Sequence, residues 1–149
     1  MTKNITNHRI IQPNGDENYY KIPKTFKVWG SEHLIKNDEK YCVKIMTLEP
    51  ETQVSLHYHM RKEETFVLIS GSLTVETIDG SKGASRLDTL HKTGDSITLK
   101  PGTPHTFYCP DDQLGPTVFI EASTQDFKHD SYRIYPSRKK NVDNGGFDS

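Results

Sequence analysis

The stretch QVSLHYHMRKEETFVLIS, residues 53–70, decides the fold of this chain. Apolar and β-branched residues alternate with polar ones on both sides of a short charged segment, a pattern that indicates two β-strands joined by a turn. Similar short runs, bordered by glycine, proline or aspartate, recur through residues 41–122. Because the signals for helices are weak throughout, the sequence predicts an all-β sandwich or barrel.

The candidate strands share this composition and end at turn-forming residues. They cover residues 33–35, 41–48, 53–59, 64–70, 72–77, 96–99, 105–108 and 117–122. A length of 149 residues fits a single domain. We expect the barrel to occupy residues 23–135, preceded by a polar extension at residues 1–22 that can supply an edge strand and followed by a flexible tail at residues 136–149.

The charge balance argues against nucleic acid as a partner. There are 19 Lys and Arg residues against 20 Asp and Glu residues, so the chain offers no basic field to attract phosphates. No apolar stretch approaches the roughly 20 residues needed to span a bilayer, and the first ten residues lack the apolar region of a secretory signal. We therefore expect a cytoplasmic protein with no membrane partner, in which Cys42 and Cys109 are free thiols.

Two of the seven histidines, His57 and His59, form a His-x-His pair on a predicted strand. Because alternate side chains of a strand point to the same side, both imidazoles face one way, about 6 to 7 Å apart at the backbone. That spacing allows both rings to bind one metal ion. Such a pair also arises by chance in a histidine-rich chain, so the interpretation depends on the residues around it.

A carboxylate and a third histidine complete a candidate set of metal ligands. Glu63 and Glu64 follow the pair, and strand alternation alone does not decide which of them faces inward. The stiff turn at residues 100–104 places His105 at the start of its own strand. Three imidazoles and one carboxylate suit zinc, which we expect, and also manganese, iron, cobalt or nickel, with positions left open for water or substrate.

These two segments resemble the two motifs of the cupin superfamily, G-x5-H-x-H-x3,4-E-x6-G and G-x5-P-x-G-x2-H-x3-N. The residues that carry the resemblance are His57, His59, Glu64, Gly71, Gly94, Pro101, Gly102 and His105. Glu51 stands in place of the first glycine, Pro101 is displaced by one position, and Cys109 stands in place of the closing asparagine. The resemblance favours Glu64 over Glu63 as the ligand and implies a double-stranded β-helix, or jelly-roll barrel.

Further segments are similar to the type II mannose-6-phosphate isomerase group of cupins. They are VWGSE at residues 28–32, YCVKI at 41–45, SLHYH at 55–59, IEAS at 120–123 and DSYR at 130–133. The resemblance implies a metal-dependent isomerase that interconverts an aldose and a ketose, with a sugar or sugar phosphate as its substrate.

Such a reaction moves a proton between adjacent carbons through an enediol and therefore needs a general base. The candidates for that base are Glu32, Glu121 and Glu63. Arg133 and Lys100 are the candidates for binding a phosphate or carboxylate on the substrate, because guanidinium and ammonium groups suit such anions.

Two other functions use the same features. The same ligands bind Fe(II) and leave positions for O2, so an Fe(II)-dependent cupin dioxygenase is one alternative. A non-catalytic carbohydrate-binding cupin is the other. We also expect a homodimer, because open sheet edges need cover and residues 1–21 can supply a strand to a second copy.

Overall fold

The computed structural model describes residues 8–9 and 20–140. These residues form strands joined by turns and loops, and none of them is helical. The strands are β1 (His8–Arg9), β2 (Tyr20–Lys21), β3 (Lys24–Lys27), β4 (Gly30–Asn37), β5 (Cys42–Leu48), β6 (Thr52–Gln53), β7 (Leu56–Tyr58), β8 (Glu64–Ser70), β9 (Leu73–Asp79), β10 (Ala84–Leu90), β11 (Ser96–Leu99), β12 (His105–Tyr108), β13 (Thr117–Ser123), β14 (Tyr132–Tyr135) and β15 (Arg138–Lys139).

Most of these strands belong to two antiparallel sheets. One has six strands in the order β11-β8-β13-β5-β4-β3, and the other has five in the order β10-β9-β12-β7-β14. From β7 to β14 the chain passes repeatedly from one sheet to the other, so hydrogen-bonded neighbours such as β8 and β13 are distant in sequence. The prediction of an all-β, single-domain double-stranded β-helix is confirmed.

The core lies between the two sheets and is built from alternate residues of their strands. Phe66, Phe107 and Phe119 are at most 2% exposed, and their ring centroids lie 5.0, 5.1 and 5.5 Å apart in edge-to-face arrangements. Such pairs contribute about 0.5 to 1.5 kcal/mol beyond the burial of their surface. Glu64 and His105 each precede one of these phenylalanines by two positions, so strand alternation turns them inward as well.

The sequence does not predict β10 or β14. Most of β10 is exposed, yet it pairs with β9 along all seven of its residues. All four residues of β14 are exposed, and it pairs with β7. Both strands lie at the edges of the five-stranded sheet, where little burial leaves a weak pattern in the sequence.

The predicted strand at residues 53–59 is divided in the structure into β6 and β7. Between them the backbone N–H of Val54 donates to the Phe107 carbonyl at 3.2 Å, and that of Ser55 donates to Ser137 Oγ at 2.9 Å. Ser137 is 2% exposed, and β15, which follows it, pairs with β6. The chain after β14 therefore packs against the barrel as far as residue 140.

The predicted boundaries of the extension, the barrel and the tail stay predictions. Of residues 1–22, the structure describes 8–9 and 20–22, where β1 pairs with β2. Of residues 136–149, it describes those up to 140. Residues 1–7, 10–19 and 141–149 lie outside the described residues.

Both cysteines are buried and free, as expected from the sequence. Burial raises the thiol pKa of Cys42 and of Cys109. Both are therefore protonated near neutral pH and are poor nucleophiles. In the part of the chain that the structure describes, no helix is long and apolar enough to cross a membrane.

Gly30 begins β4 and lies close to the backbone of β5. Its φ is 146°, and a Cβ atom there would lie 1.9 Å from the carbonyl oxygen of Thr47. We expect Gly30→Ala to lower the free energy of unfolding by about 2 kcal/mol or more, because both backbone segments must shift. Urea unfolding monitored by circular dichroism measures this loss.

Gly80→Ala is the matched control, because a Cβ atom at Gly80 would meet nothing within 4 Å. We expect it to change the free energy of unfolding by no more than about 0.5 kcal/mol. Equal losses in the two variants would contradict the importance of the close approach at Gly30.

Candidate metal centre

Four side chains converge at one end of the barrel. His57 lies on β7 and His59 directly follows it, Glu64 begins β8, and His105 begins β12. One potential ligand atom from each residue lies within 4.8 Å of the others. The three histidines singled out from the sequence therefore meet Glu64, the carboxylate that the cupin resemblance favours.

The turn before β12 joins the two motif segments. Gly102 has a φ of 80°, which glycine adopts at no steric cost, and its N–H donates to the His59 carbonyl at 2.6 Å. Three residues beyond Gly102, His105 begins β12 and pairs directly with His57 on β7. Local turn geometry and strand register thus bring the three imidazoles together.

Backbone carbonyls fix the orientation of all three rings. The Nδ1 atom of His57 lies 2.8 Å from the Ser55 carbonyl oxygen, that of His59 lies 2.8 Å from the Asp130 carbonyl oxygen, and that of His105 lies 2.9 Å from the Thr103 carbonyl oxygen. A carbonyl oxygen only accepts hydrogen bonds, so each Nδ1 carries the proton and donates it. Each neutral ring is left with a lone pair on Nε2, the atom available to a metal ion.

The carboxylate of Glu64 faces these lone pairs. Glu64 Oε1 lies 2.8 Å from His105 Nε2, and Glu64 Oε2 lies 3.6 Å from His59 Nε2. Both Glu64 oxygens and His105 Nε2 are buried and lack a hydrogen-bond partner. Buried acceptors that face one another need a cation between them, so these four residues fit a divalent metal ion.

Burial and nearby charges set the protonation states of the candidate metal ligands. Burial, followed by the charge of His105, lowers the pKa of His57 to about 3, and burial together with the Lys62 ammonium lowers the pKa of His59. Burial alone would raise the pKa of Glu64, but its contacts with His105 and Lys62 outweigh burial and lower it. At neutral pH the two imidazoles are uncharged and the carboxylate is ionised, the states that bind metal ions.

Lys62 is a buried cation beside Glu64 that the sequence patterns do not single out. Its side chain is 3% exposed, and its Nζ atom lies 3.1 Å from Glu64 Oε2, 3.5 Å from Asp126 Oδ1 and 3.8 Å from Glu121 Oε2. Burial alone would lower the pKa of Lys62, but the three carboxylates outweigh burial and raise it. In the sequence Lys62 belongs to a charged turn, which is typical of a surface segment.

Lys44 completes a buried ion network, whose other members are Lys62, Glu64, Glu121 and Asp126. The Nζ atom of Lys44 lies 2.9 Å from Asp126 Oδ2 and 3.8 Å from Glu121 Oε2. Glu121 is 5% exposed, and its Oε2 atom has no hydrogen-bond partner. Burial raises the pKa of Glu121 despite the opposing charge of Lys62. One of the three candidate bases is therefore connected to Glu64 through Lys62.

The other two candidate bases differ from Glu121 in their surroundings. Glu63 Oε1 pairs with Lys100 Nζ at 2.6 Å, with side chains 43% and 74% exposed, and neither residue belongs to the four-residue cluster. Glu32 lies on β4. Burial alone would lower the pKa of Lys44, but the charges of Glu121 and Glu32 help to raise it, so Glu32 lies near Lys44.

Arg133, the first candidate for anion binding, lies beside His57. The two residues pair directly between β14 and β7, so their side chains share one face of the sheet. His105 pairs with His57 from the opposite side, on β12. Arg133, His57 and His105 therefore form a row across three neighbouring strands, with the exposed Arg133 at its end.

A cleft of about 470 Å³ is lined by neighbours of two candidate ligands, His105 and Glu64. Its lining includes Thr77, Leu99 and Thr103. Thr77 pairs with His105, Leu99 pairs with Glu64, and the Thr103 carbonyl accepts the hydrogen bond from His105. Two other clefts have volumes of about 340 and 680 Å³. None of the three is lined by the candidate ligands themselves, and the cleft of about 340 Å³ is lined by Leu56 and Thr106, which adjoin His57 and His105 in sequence.

Solved structures of oxalate decarboxylase are similar in fold to this chain. A variant of the Bacillus subtilis protein matches with a TM-score of 0.65 at 21% identity, covering 76% of this chain and 30% of that one. A formate complex of the Lactobacillus farciminis protein matches with a TM-score of 0.64 at 21% identity, covering 76% of this chain and 34% of that one. At this identity the likeness establishes the shared fold.

Sequence comparison identifies the family of this chain. A curated relative, mannose-1-phosphate guanylyltransferase 2 of Escherichia coli O157:H7, is 27% identical over 109 residues, which are 73% of this chain. The match spans only 21% of the length of that relative. The family model described as a cupin domain matches residues 44–122, more than half of the chain. With this match, the barrel and the two motif segments, the chain belongs to the cupin family.

Proposed function

We propose that this cupin is a metal-dependent isomerase that interconverts an aldose and a ketose, with a sugar or sugar phosphate as its substrate. The observation that carries the proposal is the set of three imidazoles, each with its Nδ1 proton held by a backbone carbonyl, around the buried carboxylate of Glu64. The name of the curated relative, a mannose-1-phosphate guanylyltransferase, supports a sugar phosphate as the substrate class.

The metal ion would be held by His57 Nε2, His59 Nε2, His105 Nε2 and the Glu64 carboxylate, with zinc as the expected ion and manganese, iron, cobalt or nickel as alternatives. A bound divalent ion acts as a Lewis acid that stabilises negative charge developing on the substrate oxygens. Glu64 is the one negatively charged member of this ligand set, and Lys62 Nζ pairs with its carboxylate at 3.1 Å. The protein supplies the fixed ring orientations that preorganise the site.

We expect His57→Ala and His105→Ala each to lower the affinity for zinc by more than about 100-fold, because each removes one ligand from a preformed set. Elemental analysis after dialysis and competition with a chromophoric chelator measure the loss. The control is His91→Ala, which removes an exposed histidine outside the cluster. Undiminished zinc content in both ligand variants would refute the site.

Glu121 is the base that we assign to the proton transfer. It is buried, it has an unpartnered oxygen, and its pKa is raised by burial, which makes it a stronger base than an exposed carboxylate. Lys62 and Lys44 lie 3.8 Å from Glu121 Oε2 and compensate the charge of the base in its ionised form. Glu63, paired with Lys100 at the surface, has no such environment.

The proposed reaction is tested by supplying the metal-loaded protein with aldoses and aldose phosphates in D2O. We expect ketose to appear in the NMR spectrum, with deuterium from the solvent on the carbon that exchanges its proton. Glu121→Gln should lower kcat by about 100- to 10,000-fold at unchanged metal content, and the control Glu63→Gln should leave kcat unchanged.

Three outcomes of this experiment would count against the proposal. Isomerisation at an undiminished rate in Glu121→Gln would contradict a proton transfer through this base. Oxygen consumption by the iron-loaded protein without isomerisation would identify a dioxygenase. Saturable sugar binding without turnover would identify a non-catalytic carbohydrate-binding cupin.

Arg133 is the residue that we assign to the anionic end of the substrate, because it ends the row of side chains that contains His57 and His105. We expect Arg133→Ala to raise KM for a phosphorylated substrate by about 10- to 100-fold with little change in kcat, since a charged hydrogen bond made equally in ground and transition states is lost. Steady-state kinetics with the phosphorylated and the unphosphorylated sugar measure the effect.

Lys100→Ala is the comparison variant, because Lys100 is the other candidate for anion binding, pairs with Glu63 and lines the cleft of about 470 Å³. We expect a smaller rise in KM for the phosphorylated sugar in this variant than in Arg133→Ala. A larger effect of Lys100→Ala than of Arg133→Ala would reverse the assignment.

A further inference from the structure

We propose that Asp130 is the positioning residue that couples two of the metal ligands, His59 and Glu64. This inference rests on the proposed metal site. Asp130 lies between β13 and β14, far from both ligands in sequence, and it is 4% exposed. A carboxylate that is this deeply buried needs hydrogen bonds for both oxygens, and its partners indicate what it does.

The Asp130 carboxylate accepts hydrogen bonds from three successive backbone N–H groups. Oδ1 accepts from Met60 at 2.9 Å and from Arg61 at 3.2 Å. Oδ2 accepts from Arg61 at 3.1 Å and from Lys62 at 3.2 Å. Consecutive N–H groups that converge on one anion form a rigid concave turn. The turn that separates His59 from Glu64 is therefore fixed to a single side chain.

The backbone of the same residue holds the His59 ring. The Asp130 carbonyl accepts the Nδ1 proton of His59 at 2.8 Å, which directs Nε2 towards Glu64. The Asp130 N–H in turn donates to the Phe127 carbonyl at 3.0 Å. Side chain and main chain of one residue thus determine both the orientation of a ligand and the course of the chain that follows it.

The hydrogen bond to the Lys62 N–H extends this control to Glu64. It fixes the backbone from which the Lys62 side chain reaches Glu64, where Nζ lies 3.1 Å from Oε2. Arg61, between the two, packs its guanidinium 3.7 Å from the centre of the Phe127 ring, which holds the turn from its outer side. Displacing the turn would move the Lys62 ammonium and with it the carboxylate that it positions.

The test compares Asp130→Asn with the wild-type chain in zinc affinity, measured by competition with a chromophoric chelator. The amide retains one carbonyl oxygen for Met60 and Arg61, but its NH2 group faces the N–H of Lys62, so that bond and the second bond from Arg61 are lost. We expect zinc affinity to fall by about 10- to 100-fold, the usual effect of losing a group that orients a metal ligand. The absorption bands of the cobalt-loaded protein should change in shape and intensity, because ligand geometry changes.

Asp95→Asn is the matched control. Asp95 Oδ2 also accepts from two successive N–H groups, those of His91 and Lys92 at 3.0 and 2.9 Å, but in a surface turn that carries no candidate ligand. Asp95→Asn should leave zinc affinity and the cobalt spectrum unchanged, even if this variant has a lower melting temperature. A purely structural role for Asp130 predicts the same behaviour in both variants, and that result would overturn the proposal.

Lys62→Met is the second variant, for use if Asp130→Asn does not fold by circular dichroism. It removes the ammonium that the turn delivers to Glu64 while keeping an unbranched side chain. We expect a fall in zinc affinity, because Glu64 loses its positioning contact. A rise would mean that Lys62 only repels the ion, and it would overturn this part of the proposal. Failure of the wild-type protein to bind zinc, manganese, iron, cobalt or nickel would instead refute the metal site itself.

Discussion

Three hydrogen bonds from histidine rings to backbone carbonyls are the constraint on which the site depends. Each one places the proton on Nδ1 and leaves a lone pair on Nε2, so His57, His59 and His105 present three acceptors to a fourth, the Glu64 carboxylate. Such a buried group of acceptors is electrostatically unfavourable unless a cation lies among them. The register of β7 and β12 and the turn at Gly102 supply the positions from which these contacts are made. The same few contacts thus join the strands and orient the proposed metal ligands.

The buried ion network lies beside this centre and includes Lys44 on β5 and Glu121 on β13. Lys62 and Lys44 lie among the carboxylates of Glu64, Glu121 and Asp126 in a small barrel whose remaining interior is largely aromatic and aliphatic. Taking so many charges out of water costs folding free energy that pairing offsets only in part. Positions that carry such a cost commonly serve a function. Here contacts with His105 and Lys62 lower the pKa of Glu64, while burial raises the pKa of Glu121 despite the opposing charge of Lys62, so the two carboxylates differ in the way that the proposed reaction needs.

Much of the fold and the ligand set could be predicted from the sequence because both depend on short-range patterns. Alternation along β8 and β12 places Glu64 and His105 on the side of Phe66 and Phe107. The edge strands β10 and β14 were not predicted from the sequence; five of the seven residues of β10 and all four of β14 are exposed, so burial imposes little pattern on them. Glu51 illustrates the limit within a motif: it stands where the cupin motif has glycine, and its φ of 60° shows that the chain keeps the left-handed turn without that residue.

The order of the amino acids was enough to show which residues share a face of each strand, where the turns lie and which donor types are present, because these follow from the period of a strand and from the chemistry of Pro-Gly turns. Which face points inward, and which groups those side chains meet, depended on the packing of the whole chain. Asp130 reaches residues about 70 positions away, and Lys62, which looks like a surface residue in its charged turn, lies against Glu64. Contacts of this kind join segments that are distant in sequence, and their distances depend on how the two sheets pack. No local pattern of residues encodes that packing.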